Sequence, residues 1–401
     1  MESPKFSFIV GNSKYYLICT LIIVFLYFSF FSVSFAAEQV KVRLYSSQSP
    51  DFVIFTVVDG EYTFNGHDAS ANVLRKNDII IISKYDNKLA VKPRQSEGFI
   101  VDSITFKAAS DNSSFSLRLN AQAQATQLYK GDFSCYPDLA TIVMINNCNI
   151  DDYIAGVVRT EGGPNRHREY IKAQAIITRT YLYKYFNRHI SDGYNVCDGV
   201  HCQAFHGVTN DQAINLATKE TKDMVILDRD SVLILAVFHS NCGGMTATSR
   251  NVWVTDLPYL RSVSDPYCVR SRNATWERRF TVREWNDYLQ RYGYTGSTGN
   301  VSLFNFNQNS RLVDYRAGTF TMPFEVIRSD LGLRSAFFSV IADNNSVTLR
   351  GRGYGHGVGL CQEGAMEMAI RGNTYNAIIS FYYSDVIITN LKNARSAVGN
   401  H

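Results

Sequence analysis

Three short stretches of this 401-residue sequence hold the residue types that do chemistry. Residues 157–185 read VVRTEGGPNRHREYIKAQAIITRTYLYKY and set one acidic residue, Glu161, at a break between two helical patterns. Residues 195–207, NVCDGVHCQAFHG, are dense in metal-type ligands, and residues 350–362, RGRGYGHGVGLCQ, form a glycine-rich run around His356. A single carboxyl group can cleave a glycosidic bond, acting first as acid on the leaving oxygen and then as base. Such an acid needs a raised pKa, normally from burial in an apolar cleft. The N-terminus of the helix behind Glu161 favours the anion and works against this, so apolar walls must outweigh the dipole. The bland alternative is a solvated, capping carboxylate.

His189, Cys197, His201 and Cys202 fall within fourteen residues. Thiolate plus imidazole favours zinc. The spacing is not that of a zinc finger, and adjacent His201 and Cys202 can both ligate only on a bent loop. A Cys197–Cys202 disulfide is the rival reading, and His206 competes for the fourth ligand position. Four protein ligands make a site structural, because catalytic zinc keeps one position open. The glycines at 351, 353, 355, 357 and 359 permit unusual backbone and close approach, but no Lys-Ser/Thr follows and no βαβ context surrounds them, so a phosphate loop is excluded. A structural turn and a site around His356 both remain open. Ser240 to Thr246, SNCGGMT, follows His239 but lacks nucleophile-elbow spacing, which disfavours a serine or cysteine hydrolase.

The elements that position these residues indicate an α+β fold with mixed sheets and a helix–turn–helix corner at Glu161, preceded by a small β-rich module. Runs such as VKVRLY, FVIFTVV and KLAVKP, separated by Asp-Gly and Asn-Gly turns, predict strands over residues 38–126. Residues 127–391 form the chemistry-bearing region, and 392–401 a frayed tail. Asn149 or Asp151 caps a helix IDDYIAGVVRT that Gly162-Gly163-Pro164 stops. Ile171, Ala175, Thr178, Leu182 and Phe186 mark the buried stripe of a second helix from about 165 to 188. Strand-like alternation recurs over 224–264, and helices are expected over 280–292, 323–331, 363–371 and 375–383.

Hydrophobic content of 45% against 19% charged fits a globular chain, and a net charge of +4 without a Lys/Arg block gives no case for nucleic acid. Aromatics at 13% suit sugar-stacking clefts and β-rich cores, the core reading being the stronger. Residues 1–37 read as a targeting segment: Lys5 and Lys14, an apolar run over 15–31, then small Ser34 and Ala36. It is either a cleaved signal peptide or a retained membrane anchor through 15–31; both export the body. Eight cysteines include Cys19 in that segment, so seven remain and at least one is unpaired. Cys135 with Cys148, and Cys242 with Cys268, are the pairs closest in sequence.

The motifs together resemble the SpoIID/LytB family, named for stage II sporulation protein D. The likeness runs over about 129–389: INNCNIDDYIAGVVRTE, KAQAIITRTYLY, CDGVHCQAF, FHSNCGGMT, VWVTDLPYL, GRGYGHGVGLCQEGA and AIISFYYSDVII, in the family's order. The resemblance implies a lytic transglycosylase of peptidoglycan. It would cut MurNAc–GlcNAc β-1,4 bonds of peptide-stripped glycan strands without water and leave 1,6-anhydro-MurNAc ends. The sugar's own 6-hydroxyl attacks, so one carboxyl group suffices where most glycosidases use two. The family's catalytic glutamate corresponds to Glu161. The ligand block corresponds to Cys197, His201 and Cys202, with His189 as fourth, for a structural zinc near the active site; no organic cofactor is implied. Cleft candidates from the motifs are Lys172, Gln174, Arg179, Tyr181, Gln203, Ser240, Thr246, His356, Gln362 and Tyr382. The other reading the family offers is a glycan-binding modulator of a cell-wall amidase, and zinc-dependent hydrolysis is a third. The sequence departs from the family pattern at Gly162-Gly163, at Asn241-Cys242 and at Cys361, where serine is usual.

Overall fold

The computed structural model describes residues 39–65, 71–94, 96–119, 127–139, 141–253, 255–296 and 298–395. The targeting segment, the 126/127 boundary and the chain beyond 395 lie outside them. Along Gln39–Leu44, Phe52–Asp59 and Lys88–Pro93 every second side chain is buried, the period of a strand with one face inward. Seven strands order as Val196–Cys197, Gln39–Leu44, Thr141–Asn149, Asp132–Asp138, Ile104–Ala108, Tyr62–Asn65 and Ala71–Leu74. Six more order as Gln127–Lys130, Ser114–Leu119, Phe52–Asp59, Ile79–Tyr85, Lys88–Pro93 and Phe99–Val101. Rings from both sheets meet in one core: Phe55 stacks on Phe106 at 4.4 Å and on Phe133 at 5.6 Å. These aromatics are therefore core, as their number suggested. Strands from both sides of the expected boundary share both sheets, since Gln39–Leu44 pairs along its whole length with Thr141–Asn149.

Eight helices are described: α1 (Ile150–Gly162), α2 (Arg168–Lys184), α3 (Gln212–Glu220), α4 (Ser249–Val252), α5 (Val282–Gln290), α6 (Phe324–Leu331), α7 (Gln362–Ile370) and α8 (Tyr375–Tyr382). Asn149 caps α1 by accepting the Asp151 N–H, and Gly163 closes it by donating to Arg159 O. The second helix is shorter than its periodicity suggested. Pro164 and Asn165, the latter at φ 56°, hold a turn, so α2 starts only after the His167 cap. Strands Thr275–Thr281, Ser346–Arg352 and Phe338–Ala342 form a third sheet, packed with α5 and α6 around Trp285, Tyr315, Phe324 and Phe338. Over 224–264 only Met224–Leu227 and Phe238–His239 pair as strands. In the apolar run between them Leu233, Ile234 and Ala236 are buried, but its one bridge among the described residues is the isolated pair Leu227–Leu233. A strand-only start is followed after Ile150 by helices interleaved with small, mostly antiparallel sheets, an α+β arrangement. Among the described residues no helix is long and apolar enough to cross a membrane.

Cys135 and Cys148 do not pair. The strand register sets Cys135 opposite Met144, four residues and about 13 Å of strand from Cys148. Cys197 and Cys202 are likewise both free thiols, and so are Cys242 and Cys268.

Candidate active site

Glu161 sits in the last turn of α1, partly buried. Its Oε1 accepts the Ala204 N–H at 3.1 Å, and no hydrogen bond to Oε2 is found among the described residues. That contact depends on Gly156, five residues back on the same helix. A Cβ there would lie 2.3 Å from Gly207 O and 2.5 Å from the Phe205 ring. Only glycine lets the 203–207 loop close on α1 and present Ala204 to the carboxylate. Burial pushes the Glu161 pKa up, and the Ala204 N–H and nearby His206 pull it back less. The dipole argument from sequence reverses. α2 begins seven residues later, and Glu161 lies at the negative C-terminal end of its own helix, which disfavours the anion. Dipole and burial thus act in the same direction.

The carboxylate opens on a cleft of about 1120 Å³. Pro266, Tyr267, Val269, Met366 and Ile370 supply apolar wall, Arg166, Arg270 and Arg272 supply positive charge, and Arg371 is paired with Glu367 at 2.8 Å. Of the residues assigned to the cleft from the motifs, Ser240 and Gln362 line it beside Glu161, and Gln362 Nε2 donates to Glu161 O at 3.2 Å. The structure places the rest elsewhere. Lys172 pairs with Glu220 at 3.1 Å and Glu169 at 3.5 Å. Arg179 is 1% exposed and donates to the carbonyls of Thr221 at 2.7 Å and Thr218 at 3.3 Å, satisfying the C-terminus of α3. Gln174 is fully buried in α2. Tyr181 accepts from Arg188 at 3.3 Å. Gln203 joins Tyr153 to Thr178 O, both at 3.3 Å, one residue from Ala204. Thr246 accepts the Val263 N–H at 2.7 Å. His356 donates from Nε2 to Phe238 O and accepts the Val358 N–H at Nδ1, both at 3.0 Å, and burial pushes its pKa down to about 4. Tyr382 donates to Asp265 at 3.0 Å.

The glycine-rich run is a close-packed turn. Gly353 has φ 80°, and a Cβ on it would meet Asn241 O at 2.5 Å, so the run lies directly against the Ser240–Gly243 backbone. Glu363, directly after Gln362, is a second cleft carboxylate that the sequence reading passed over. It is consumed by hydrogen bonds from Asn241 and Asn273, both at 2.6 Å, and from Ser271. The GLCQEGA motif contained it in plain view, but nothing in its spacing separates it from a helix-start glutamate.

His189, Cys197, His201 and Cys202 come together, with their donor atoms all within 4.8 Å of one another; His206 is outside the group. Cys202 Sγ lies 3.6 Å from His189 Nε2 and 3.7 Å from His201 Nδ1, and Cys197 Sγ 3.8 Å from His201 Nδ1. Tetrahedral zinc with bonds of about 2.0–2.3 Å sets donors roughly 3.3–3.8 Å apart, so this donor set fits the ion. His189 Nδ1 faces Asp192 at 3.3 Å, which orients Nε2 inward. The N-terminal strands hold this loop. Val196–Cys197 pairs with Gln39–Leu44, Asn195 accepts the Lys41 N–H at 2.8 Å, and Asp198 accepts from Ser46 Oγ at 2.7 Å.

The sequence model of the family described as stage II sporulation protein, SpoIID, matches residues 139–227. An uncharacterised protein of Brachyspira hyodysenteriae is 28% identical over 266 residues, 65% of this chain and 72% of the relative. Stage II sporulation protein D of Bacillus subtilis is 28% identical over 260 residues, 61% of this chain and 76% of the relative. The amidase enhancer of Bacillus subtilis is 26% identical over 290 residues, covering 59% of this chain but only 40% of that protein. The matched segment begins before α1, carries Glu161 and the Cys/His loop, and ends at the Met224–Leu227 strand, so the similarity to the SpoIID family falls on the site itself.

Proposed function

We propose that this chain acts at the cell wall, outside the cytoplasm, as a peptidoglycan lytic transglycosylase with Glu161 as general acid and base. The observation that carries the reading is one carboxyl group with a raised pKa, half-buried on the cleft wall, while the other two cleft carboxylates, Glu363 and Glu367, are taken up by hydrogen bonds and an ion pair. Protonated Oε2 gives its proton to the glycosidic oxygen as the C1–O bond breaks. The resulting carboxylate takes the proton from the MurNAc 6-hydroxyl as O6 bonds to C1. Proton count is restored and no water is consumed. Oε1 stays on the Ala204 N–H throughout, which fixes the carboxyl plane. Once its stem peptide is removed, MurNAc carries a free lactyl carboxylate, and the cleft arginines suit that charge. Zinc on His189, Cys197, His201 and Cys202 would have no open position, and its contribution would be to brace the loop that carries Ala204.

The test is product analysis on peptide-stripped glycan. Wild type releases anhydro-disaccharides, and Glu161→Gln loses at least ~10³-fold of the rate, the upper part of the range for one general acid/base group. Gln retains an acceptor for Ala204, so the variant stays folded. The sign with pH is fixed by the raised pKa. The native state holds the proton more tightly than the unfolded chain, so its stability falls as pH rises from the ordinary glutamate value through the raised one. Glu161→Gln removes that loss and melts no lower than wild type at neutral pH, while wild-type activity declines on the alkaline side. Undiminished product release by the variant sinks the proposal. The relative named amidase enhancer supports a second reading, a non-catalytic glycan binder that stimulates an amidase. It predicts sacculus binding and amidase stimulation, equally in wild type and Glu161→Gln, with no anhydro product.

A further inference from the structure

Cys242, Asp265, Cys268 and Cys361 meet on the far side of the cleft wall, drawn from three distant segments. All four are completely buried, and their donor atoms lie within 4.8 Å of one another. Cys242 Sγ is 3.3 Å from Cys268 Sγ and 3.2 Å from Asp265 Oδ2. A disulfide needs about 2.05 Å. A tetrahedral zinc with thiolate bonds of about 2.3 Å sets sulfurs about 3.8 Å apart, inside the observed spread.

The surroundings are those of a liganded anion. Cys361 Sγ accepts the N–H of Cys242 at 3.3 Å and of Gly364 at 3.4 Å, from the first turn of α7. Asp265 Oδ1 accepts the Tyr267 N–H at 2.8 Å, and Oδ2 accepts from Tyr382 at 3.0 Å, which aims the carboxylate at the thiols. Among the described residues Asp265 makes no ion pair: the cation beside the cluster, Arg311, donates to Cys242 O at 2.7 Å on the thiol side and leaves the fully buried carboxylate unpaired. Such a charge is costly unless a cation joins it.

We propose that Cys242, Asp265, Cys268 and Cys361 form a second, closed zinc site that braces the cleft. Binding releases the three thiol protons to solvent and leaves three thiolates and a carboxylate on the ion. The ion ties the Phe238–His239 strand end, the 265–273 wall and α7 into one unit. From that unit Gln362 reaches Glu161 O, and Glu363 holds Asn273. The assignment is independent of the reaction proposed above.

The test is metal stoichiometry on the purified exported chain, by elemental mass spectrometry, for wild type, Cys361→Ser and Cys202→Ser. Cys361→Ser is expected to hold one zinc equivalent fewer than wild type, whatever the other cluster carries, and to keep the equivalent that Cys202→Ser loses. Alkylation of denatured wild type without reductant labels Cys242, Cys268 and Cys361. Equal zinc in wild type and Cys361→Ser overturns the proposal, as does a Cys242–Cys268 disulfide peptide. Should Cys361→Ser fail to fold, zinc-edge absorption on wild type decides: a mean above two sulfurs per zinc supports the second site, and two or fewer overturns it.

Discussion

The two thiol clusters are built by opposite routes. His189, Cys197, His201 and Cys202 lie close together in sequence on one bent loop, with His201 exposed and His189 half-buried. Cys242 and Cys361 are 119 positions apart and meet only because two short parallel strands, Phe238–His239 and Leu360–Cys361, lie side by side. The first cluster borders solvent and is held by the N-terminal sheet; the second is sealed in the core behind the cleft. A group assembled by one loop can be read from spacing. A group assembled by topology cannot, and it is also the one whose loss opens several elements at once.

That contrast predicts unequal damage. Cys242→Ala leaves two thiolates and a carboxylate buried around a hole, so it should cost about 3–5 kcal/mol, the range for breaking a buried charged set. Cys202→Ala, in a cluster that His201 opens to solvent, should cost less in global stability, with its effect confined to exchange of the 195–207 amides. Denaturant melts of both variants check the order, and equal losses would remove the distinction between sealed and bordering clusters.

Gly156→Ala tests whether the loop cluster serves Glu161. The added methyl meets Gly207 O and Phe205, which should cost about 1–3 kcal/mol of overpacking. It should also move Ala204 off the carboxylate, lowering kcat on glycan while zinc content stays at the wild-type value. Loss of zinc with retained kcat would show that the loop holds metal but not the acid. A smaller change is expected from Asp192→Ala, which removes the partner of His189 Nδ1. Zinc affinity of the loop cluster should fall about 10–100-fold, as for other outer ligands. The sealed cluster should be untouched, which competition with a chromogenic chelator resolves into two phases.

Much of this was legible from residues alone. The capped first helix and the strand-rich start followed from local pattern, which also grouped Cys197, His201 and Cys202 but left His189 and His206 competing for the fourth place; the fold brings in His189. The electrostatics of Glu161 did not, because the turn at Pro164 and Asn165 delays α2 and turns the dipole argument around. The cleft wall at 266–273 was hidden as well, since it is an irregular loop without periodicity. Residues on α2 misled for a related reason: a motif fixes which face of a helix is used but not what that face touches.

Lys172 carries that last point to an experiment. Its place in KAQAIITRTYLY suggested a cleft residue, yet its ammonium lies between Glu220 and Glu169, with 15% of the side chain exposed, and it is not among the residues lining the cleft. Pairs of this kind, near the surface and screened by water, contribute about 0–1 kcal/mol. Lys172→Ala should therefore shift the denaturant midpoint slightly, and less so at high salt, while kcat and KM on peptide-stripped glycan stay within about twofold of wild type. A cleft role would give the reverse pattern, a raised KM with little change in stability. The same substitution thus separates a cation that holds α2 to the end of α3 from one that meets the lactyl carboxylate. The geometry favours the former, and under the proposed function the charge of the glycan would fall to the arginines at 166, 270 and 272.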